Sequence, residues 1–394
     1  MKKKSWGVEW RAFTDRETGA KVKQLSSYYG NHCHIYFTNP SLFDNNTKMV
    51  MFGERENKSN LFTVDLLSGE IVQLTDYERV PPPLECNFQN VGVSEIRSEA
   101  YYWYKKTLMA IDLHSGETRE LYTMPEGYRR SNTNVTSDGK FVLSGCIKDL
   151  SGEMELDTGH GYVGFDEHWE RHPHCFIIKS PVDGGKTEII HENNLWIGHI
   201  NASPALPNLF SFCHEGPWHK VDHRIWTMDH ITGKIWKVRE RKVPNERIGH
   251  EYWYLDGKTI GYHGEIPGTG TKFFGRANYD NTGGHETSFP FQTGHIHSND
   301  EKYVVGDGYG STRHVRIWRY DPKTDSYEGP RAVCVHRSSL NSQIVHVHPR
   351  FTPDGKQIIF TSDQSGYGSP YIVDVPPFDS LPAITDQEGR PLVR

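Results

Sequence analysis

The sequence predicts an all-β fold, a seven-bladed β-propeller whose ring is closed by an N-terminal strand that completes the last blade. Three observations predict it. A turn followed by a short apolar-aromatic strand recurs seven times, at spacings of roughly 40–65 residues, at or a little beyond the ~40–50 of four-stranded blades. Most copies lead into a second unit, a strand, an Asp, a Ser/Thr-Gly type of turn and another strand, which is hairpin chemistry. The last copy lacks its outer strand, and the N-terminus carries a matching one.

In chain order, Asp15–Ser26 is the N-terminal piece, and it mirrors Asp65–Thr75. The turn-strand copies follow at Asp44–Glu54, Ser94–Tyr104, Ser137–Gly145, Ser203–Cys213, Leu255–Tyr262, Asn299–Gly306 and Thr352–Asp363. The hairpin unit is clearest at Leu61–Thr75 and repeats at Leu108–Tyr122, Ile225–Val238 and Val315–Tyr327. The final copy ends at Tyr371–Pro377, so pairing with the N-terminal strand removes two sheet edges. The chain reads as a single propeller domain over residues 1–394, with a rim insertion at about 147–174 that breaks the period. That insertion, which holds Asp157, His160 and His168, reads as a solvated surface excursion. A pair of β-sandwiches is the weaker alternative.

Composition agrees. With 10 Trp, 20 Tyr and 18 Phe beside 37 Gly and 22 Pro, the chain is aromatic but rich in turn formers. A net charge of −6 supplies no electrostatic case for nucleic acid or an anionic membrane. Met1-Lys2-Lys3-Lys4 is not followed by an apolar run, and no stretch approaches the ~20 apolar residues of a membrane span. The six cysteines form no Cys-x-x-Cys pair and read as reduced thiols, so a cytoplasmic protein is expected.

Histidines fall at the same place in five of the seven repeats, just before the turn, where the innermost strand of a blade lines the axis. These stretches are Asn31–His34, Ile197–His199, Ile248–Glu251, Gly294–His297 and Val345–His348. Core packing does not require this, since an apolar side chain replaces a buried imidazole easily. On a strand, His346 and His348 project from one face, and Gln343 lies three residues upstream. Two imidazoles and a carbonyl oxygen suit a divalent metal. Taken alone, Arg224, His214 and Glu215 read as packing or turn contacts. Trp196, Trp218 and Trp253 read as blade packing.

At this point the residues resemble a known family. Phe212–Pro217, Val221–Arg224, His250–Trp253 and Gln343-x-x-His346-x-His348-Pro349 are similar to oligogalacturonate lyase, as are Val305–Gly308 and Phe351–Asp354. The resemblance implies a seven-bladed propeller that binds a divalent metal, typically manganese, and degrades short pectin fragments in the cytoplasm by β-elimination. It implies His295, Gln343, His346 and His348 as metal ligands, His250 as catalytic base and Arg224 as catalytic arginine. Calcium, cobalt, nickel or zinc are the alternative ions. His34, His199, His214, His297 and Arg350 are candidate substrate contacts, and a homodimer is a candidate assembly. His297, Arg350 and Tyr128-Arg129-Arg130 depart from the family pattern and leave the preferred oligomer open.

The chemistry agrees with such a set. β-Elimination from a uronate removes the C5 proton and expels the C4 oxygen, and a metal on the carboxylate stabilises the charge that develops. An imidazole, with an ordinary pKa of about 6.5, is a suitable base near neutrality. Arg224 stays protonated, so it suits charge stabilisation and not abstraction. Two other readings compete: a propeller lyase for a different uronate, such as a glucuronate- or rhamnose-containing oligomer, and a non-catalytic TolB-like interaction module. No Gly-x-Ser-x-Gly elbow supports hydrolase chemistry.

Overall fold

The computed structural model describes residues 3–79, 88–289, 293–308 and 313–384. Met1, Lys2 and Cys86 lie outside the described residues. Seven antiparallel sheets form the seven blades, as expected. From the axis outward, blade 1 runs through His32–His34, Lys48–Arg55, Lys58–Asp65 and Glu70–Gln73. Blades 2 to 6 begin at Gly92, Tyr128, Ile197, Arg247 and Ile296, each with four strands. Blade 7 comprises Arg350–Phe351, Gln357–Ser362 and Ser369–Asp374, followed by two strands from the N-terminus.

The second strand of each blade reads as a continuous apolar run because both its faces are covered. In Lys48–Arg55, Val50 and Phe52 pack toward blade 2, while Met49 and Met51 pack toward blade 7, as the period of two requires. The same division holds at every seam. Tyr101 and Trp103 meet Val142 and Ile178, Leu143 and Ile177 meet Phe210 and Phe212, and Leu209 and Ile225 meet Ile260 and Tyr262. Phe274 meets Trp318, Val305 and Ile317 meet Ile358 and Phe360, and Ile359 and Ile372 meet Met49 and Phe62. Seven apolar layers, one per seam, close the ring.

The turn chemistry is physical. Asp15, Asp65, Asp112 and Asp229 each accept the backbone N–H groups two and three residues ahead through one carboxylate oxygen. Gly19, Gly69, Gly116 and Gly233 then take φ of 75–82°, where a Cβ is penalised.

The expected closure is present. Lys21–Gln24 pairs antiparallel with Ser369–Asp374, Val22 opposite Val373, and Arg11–Thr14 adds a fifth strand to blade 7. The sequence reading did not foresee that Lys4–Val8 continues onto the neighbouring blade, pairing with Glu70–Gln73. The N-terminal segment thus clasps both sides of the 7–1 seam.

Candidate active site and metal centre

Where the inner strands converge, imidazoles gather. The tightest group is His295, His346 and His348, each offering a ring nitrogen within 4.8 Å of the other two. Their centroids are 4.1 Å apart for His295–His348 and 5.5 Å for each pair with His346. His295 stands just before the strand Ile296–His297, and its Nδ1 lies 2.7 Å from Asp307 Oδ2. The other Asp307 oxygen accepts the backbone N–H groups of Gly294 and His295 at 2.9 and 3.0 Å. Burial alone raises a carboxyl, but the charge and hydrogen bonds of His295 hold Asp307 below the usual range. That contact fixes the His295 tautomer and leaves Nε2 without the ring proton.

His346 and His348 were expected on one face of a strand; instead Gln343–Val345 is a 3-10 turn, and the strand begins only at Arg350. His348 takes φ 45° immediately before Pro349, a conformation no ladder accommodates. Among the described residues, His346 Nδ1 and His348 Nε2 are buried without a hydrogen-bond partner. Burial first, then neighbouring imidazoles, pushes His346 down to about 4 and His348 well below its ordinary value. Buried, neutral, unpartnered nitrogens facing a third oriented imidazole are what a divalent cation needs, so these residues fit one. Gln343 opens the 3-10 turn, and its Nε2 donates to the Tyr162 hydroxyl at 3.3 Å.

Phe37 lies against three of the imidazoles, 5.7 Å from His348, 5.6 Å from His295 and 6.4 Å from His250. His250 and His199 occupy matching positions in blades 5 and 4, each where the inner-strand register breaks. Both take left-handed φ, 52° and 48°, and such bulges re-aim a side chain. His250 Nδ1 meets His263 Nε2 at 2.8 Å, and the two rings stack. Its ring is 4.5 Å from that of His295 and 5.6 Å from Trp218. Burial, then the neighbouring His295, His263 and Arg224, lowers its pKa well below the ordinary value and keeps it neutral.

Arg224 is buried beside it. Its Nε donates to Glu251 Oε2 at 3.0 Å and its Nη1 to Glu215 Oε1 at 3.1 Å. Burial would raise the Glu251 carboxyl, but Arg224 and His199 hold it down to about 2. His199 Nδ1 contacts Glu251 Oε1 at 2.8 Å. Tyr36 bridges the two halves, 5.6 Å from His199 and 4.9 Å from His348.

The remaining candidates lie apart. His34 is buried, with Nδ1 on Thr361 Oγ1 at 2.7 Å and Nε2 on the His348 carbonyl at 2.8 Å, so it braces the backbone of His348. His214 packs on Trp226 at 4.9 Å, away from the imidazole group. His297 is buried between Tyr252 and Phe351. Arg350 donates to the Phe37 carbonyl at 2.6 Å, and burial lowers its pKa to about 10. Of the tryptophans, Trp218 borders His250, Trp253 is buried and donates to the Asn201 carbonyl, and Trp196 packs on Phe165 and His168.

The insertion is not a solvated excursion throughout. His168, on the helix Phe165–Glu170, is buried against Trp196, and the Gly159 carbonyl accepts the backbone N–H of Gln343 at 3.3 Å. His263, Asp307, Tyr36 and Phe37 carried no assignment from the sequence. A histidine amid the Ile260–Gly264 stretch of the Thr259–Ile266 strand, directly opposite Gly249, was the available signal for His263.

A family model described as oligogalacturonate lyase matches residues 1–380. The chain belongs to the oligogalacturonate lyase family. It is 26% identical over 401 residues to the oligogalacturonate lyase of Dickeya dadantii, covering 95% of this chain and 98% of that protein. It is also 26% identical to the oligogalacturonide lyase of Pectobacterium atrosepticum, over 94% and 97% of the two chains. Among solved structures, an oligogalacturonate lyase in complex with manganese superposes with a TM-score of 0.82 at 25% identity, over 95% and 98% of the chains. That of Vibrio parahaemolyticus gives 0.83 at 25%, over 95% and 99%. The chain is accordingly an enzyme, a lyase of pectin oligosaccharides, and the interaction-module reading is set aside. No helix among the described residues is long and apolar enough to cross a membrane.

Proposed function

We propose that the enzyme cleaves short α-1,4-linked oligogalacturonides, digalacturonate and similar pectin fragments, by metal-dependent β-elimination to an unsaturated or 4-deoxy-5-keto uronate. The observation that carries this reading is the juxtaposition of the His295–His346–His348 group with a neutral imidazole, His250, 4.5 Å from His295. His295, His346 and His348, with Gln343 as the family resemblance implies, would hold the ion. A divalent cation bound there supplies Lewis acidity toward the uronate carboxylate. Manganese is the first ion to test, since a structure similar to this chain is described as a manganese complex.

In this reading His250 takes the C5 proton. Its neutrality suits it to that role, and its Nδ1 contact with His263 steadies the ring. Arg224, fixed by Glu251 and Glu215, holds positive charge beside the reacting carbons. Trp218, at the edge of His250, offers an apolar wall for a sugar ring. The five described cysteines are all buried and free, which agrees with the expected reducing, cytoplasmic setting.

The test is ultraviolet absorbance of the unsaturated product from digalacturonate and trigalacturonate, before and after chelation and manganese re-addition. Metal-restored product, with substrate loss confirmed by mass spectrometry, is expected. Turnover of a glucuronate- or rhamnose-containing oligomer alone would move the assignment to that uronate. Undiminished turnover after complete metal removal would refute the metal requirement.

A further inference from the structure

Blades 4 and 5 present one device twice, in opposite electrostatic settings. Gly198-His199 and Gly249-His250 sit at matching register breaks, both histidines with left-handed φ. A histidine there is held against its preference, so the backbone aims each ring. His250 is in contact with imidazoles and Trp218. His199 faces two carboxylates, its Nδ1 2.8 Å from Glu251 Oε1 and its Nε2 3.7 Å from Glu215 Oε2. Glu251 is wholly buried and Glu215 mostly so.

The charges around His199 do not balance without it. Glu215 and Glu251 bring two negative charges, and Arg224, bound to both, brings one positive charge. Cys213 Sγ lies 3.8 Å from Glu215 Oε2, and the ring of Tyr36 is 5.6 Å from that of His199. His199, Cys213 and Glu215 also have metal-ligand spacing, but Arg224 Nη1 at 3.1 Å from Glu215 puts a fixed cation where an ion would sit. At Nδ1 the ring donates to Glu251 Oε1, a carboxylate oxygen that only accepts, at 2.8 Å, the contact with Arg224 Nη2 being longer at 3.5 Å. Nε2 then has no hydrogen-bond partner among the described residues, and the side chain keeps 13% of its surface exposed.

We propose that His199 is the proton donor to the leaving oxygen, the acid that complements His250 as base. This rests on the uronate elimination reading. The C5–H electron pair becomes the C4=C5 double bond as His250 takes the proton. The C4–O bond breaks, and the His199 Nε2 proton passes to the departing sugar oxygen. His199 ends neutral and His250 protonated, and exchange with water resets both. Two like residues made into acid and base by unlike surroundings is a recurrent arrangement.

The test compares the full-length, manganese-loaded enzyme with His199→Asn and His250→Asn, asparagine being tolerant of the left-handed φ. Each is assayed on digalacturonate and on a methyl galacturonide carrying fluoride at C4, which leaves with little need of a proton. His199→Asn is expected to lose about 10²–10⁴-fold in kcat on digalacturonate and far less on the fluoride. His250→Asn is expected to lose both. The pH profile is a second readout: His199→Asn should lose the alkaline limb of kcat and keep the acidic one, whereas a structural defect lowers the whole curve. Equal losses on both substrates, an intact alkaline limb, or a leaving-group-selective loss in Tyr36→Phe with His199→Asn active would each overturn the assignment. Wild-type enzyme inert on digalacturonate would refute the elimination reading itself, and the donor with it.

Discussion

Asp307→Asn is the most informative single change outside the imidazoles. In the native site Oδ2 accepts from His295 Nδ1 at 2.7 Å, while Oδ1 accepts two backbone N–H groups and the Thr293 hydroxyl at 2.9–3.2 Å. Asparagine keeps one oxygen, and the two backbone donors claim it. Its amide nitrogen then faces Nδ1 and donates, which moves the ring proton to Nε2, the atom that would hold the ion in the proposed site. Loss of such an oriented partner costs about 10–100-fold in metal affinity, or roughly 1.4–2.7 kcal/mol. The fold should survive, because the shape is unchanged and three of the four contacts have a surviving acceptor. Competition with a chromophoric chelator measures the affinity, and saturating manganese should restore part of the turnover. Unchanged manganese affinity in a folded Asp307→Asn protein would refute the reasoning.

His250→Ala should abolish turnover and leave bound metal per chain unchanged by elemental analysis; metal loss would make His250 a ligand. Leu25→Ala, at the 7–1 seam with Leu25 fully buried, should cost about 2–5 kcal/mol in urea unfolding, and a cost near zero would mean the clasp contributes little. Acid should destabilise the fold early. Burial holds His34, His168 and His214 down to about 4 and His32 to about 3, so the unfolded chain binds more protons below its ordinary value of about 6.5. Their contribution is complete above about 6.5 and is lost as pH falls toward about 4, by on the order of 1 kcal/mol per group per pH unit. Urea midpoints at pH 7.5, 6 and 5 check this, a flat series being the contrary result.

The repeat made most of the fold legible. Asp-Gly-Lys and Asp-x-x-x-Gly turns mark where each blade reverses, and apolar runs between them mark strands covered on both faces. The site was legible where it is periodic: histidine at one repeat position predicted convergence, and His250, His295, His346 and His348 do meet. What escaped was non-periodic. His34 and His297 share the repeat position, yet their rings turn into the walls, because hydrogen bonds to Thr361 and stacking on Tyr252 decide orientation. Arg350, read as a candidate substrate contact, donates from Nη1 to the carbonyl of Phe37, the ring that lies against His348 and His295. Asp307 and His263 contact His295 and His250, and the only trace of such second partners in the spacing is the histidine at position 263 within its strand. The inward reach of Gly159 and Tyr162 likewise follows from packing around Trp196, not from local composition.

The clasp across the 7–1 seam bears on how the catalytic geometry comes into being. Ser26 and Ser369 bond to each other although they are 343 positions apart in the chain. The proposed groups reach from Tyr36 and Phe37, beside blade 1, through His199, Arg224, His250 and His295 to His346 and His348, beside blade 7, so the site draws on both ends of the chain. A nascent chain halted before blade 7 lacks His346 and His348, which the proposed site requires. Turnover during refolding is then expected to appear only once that non-local pairing has formed. In this molecule the enzyme assay doubles as a clock for topology.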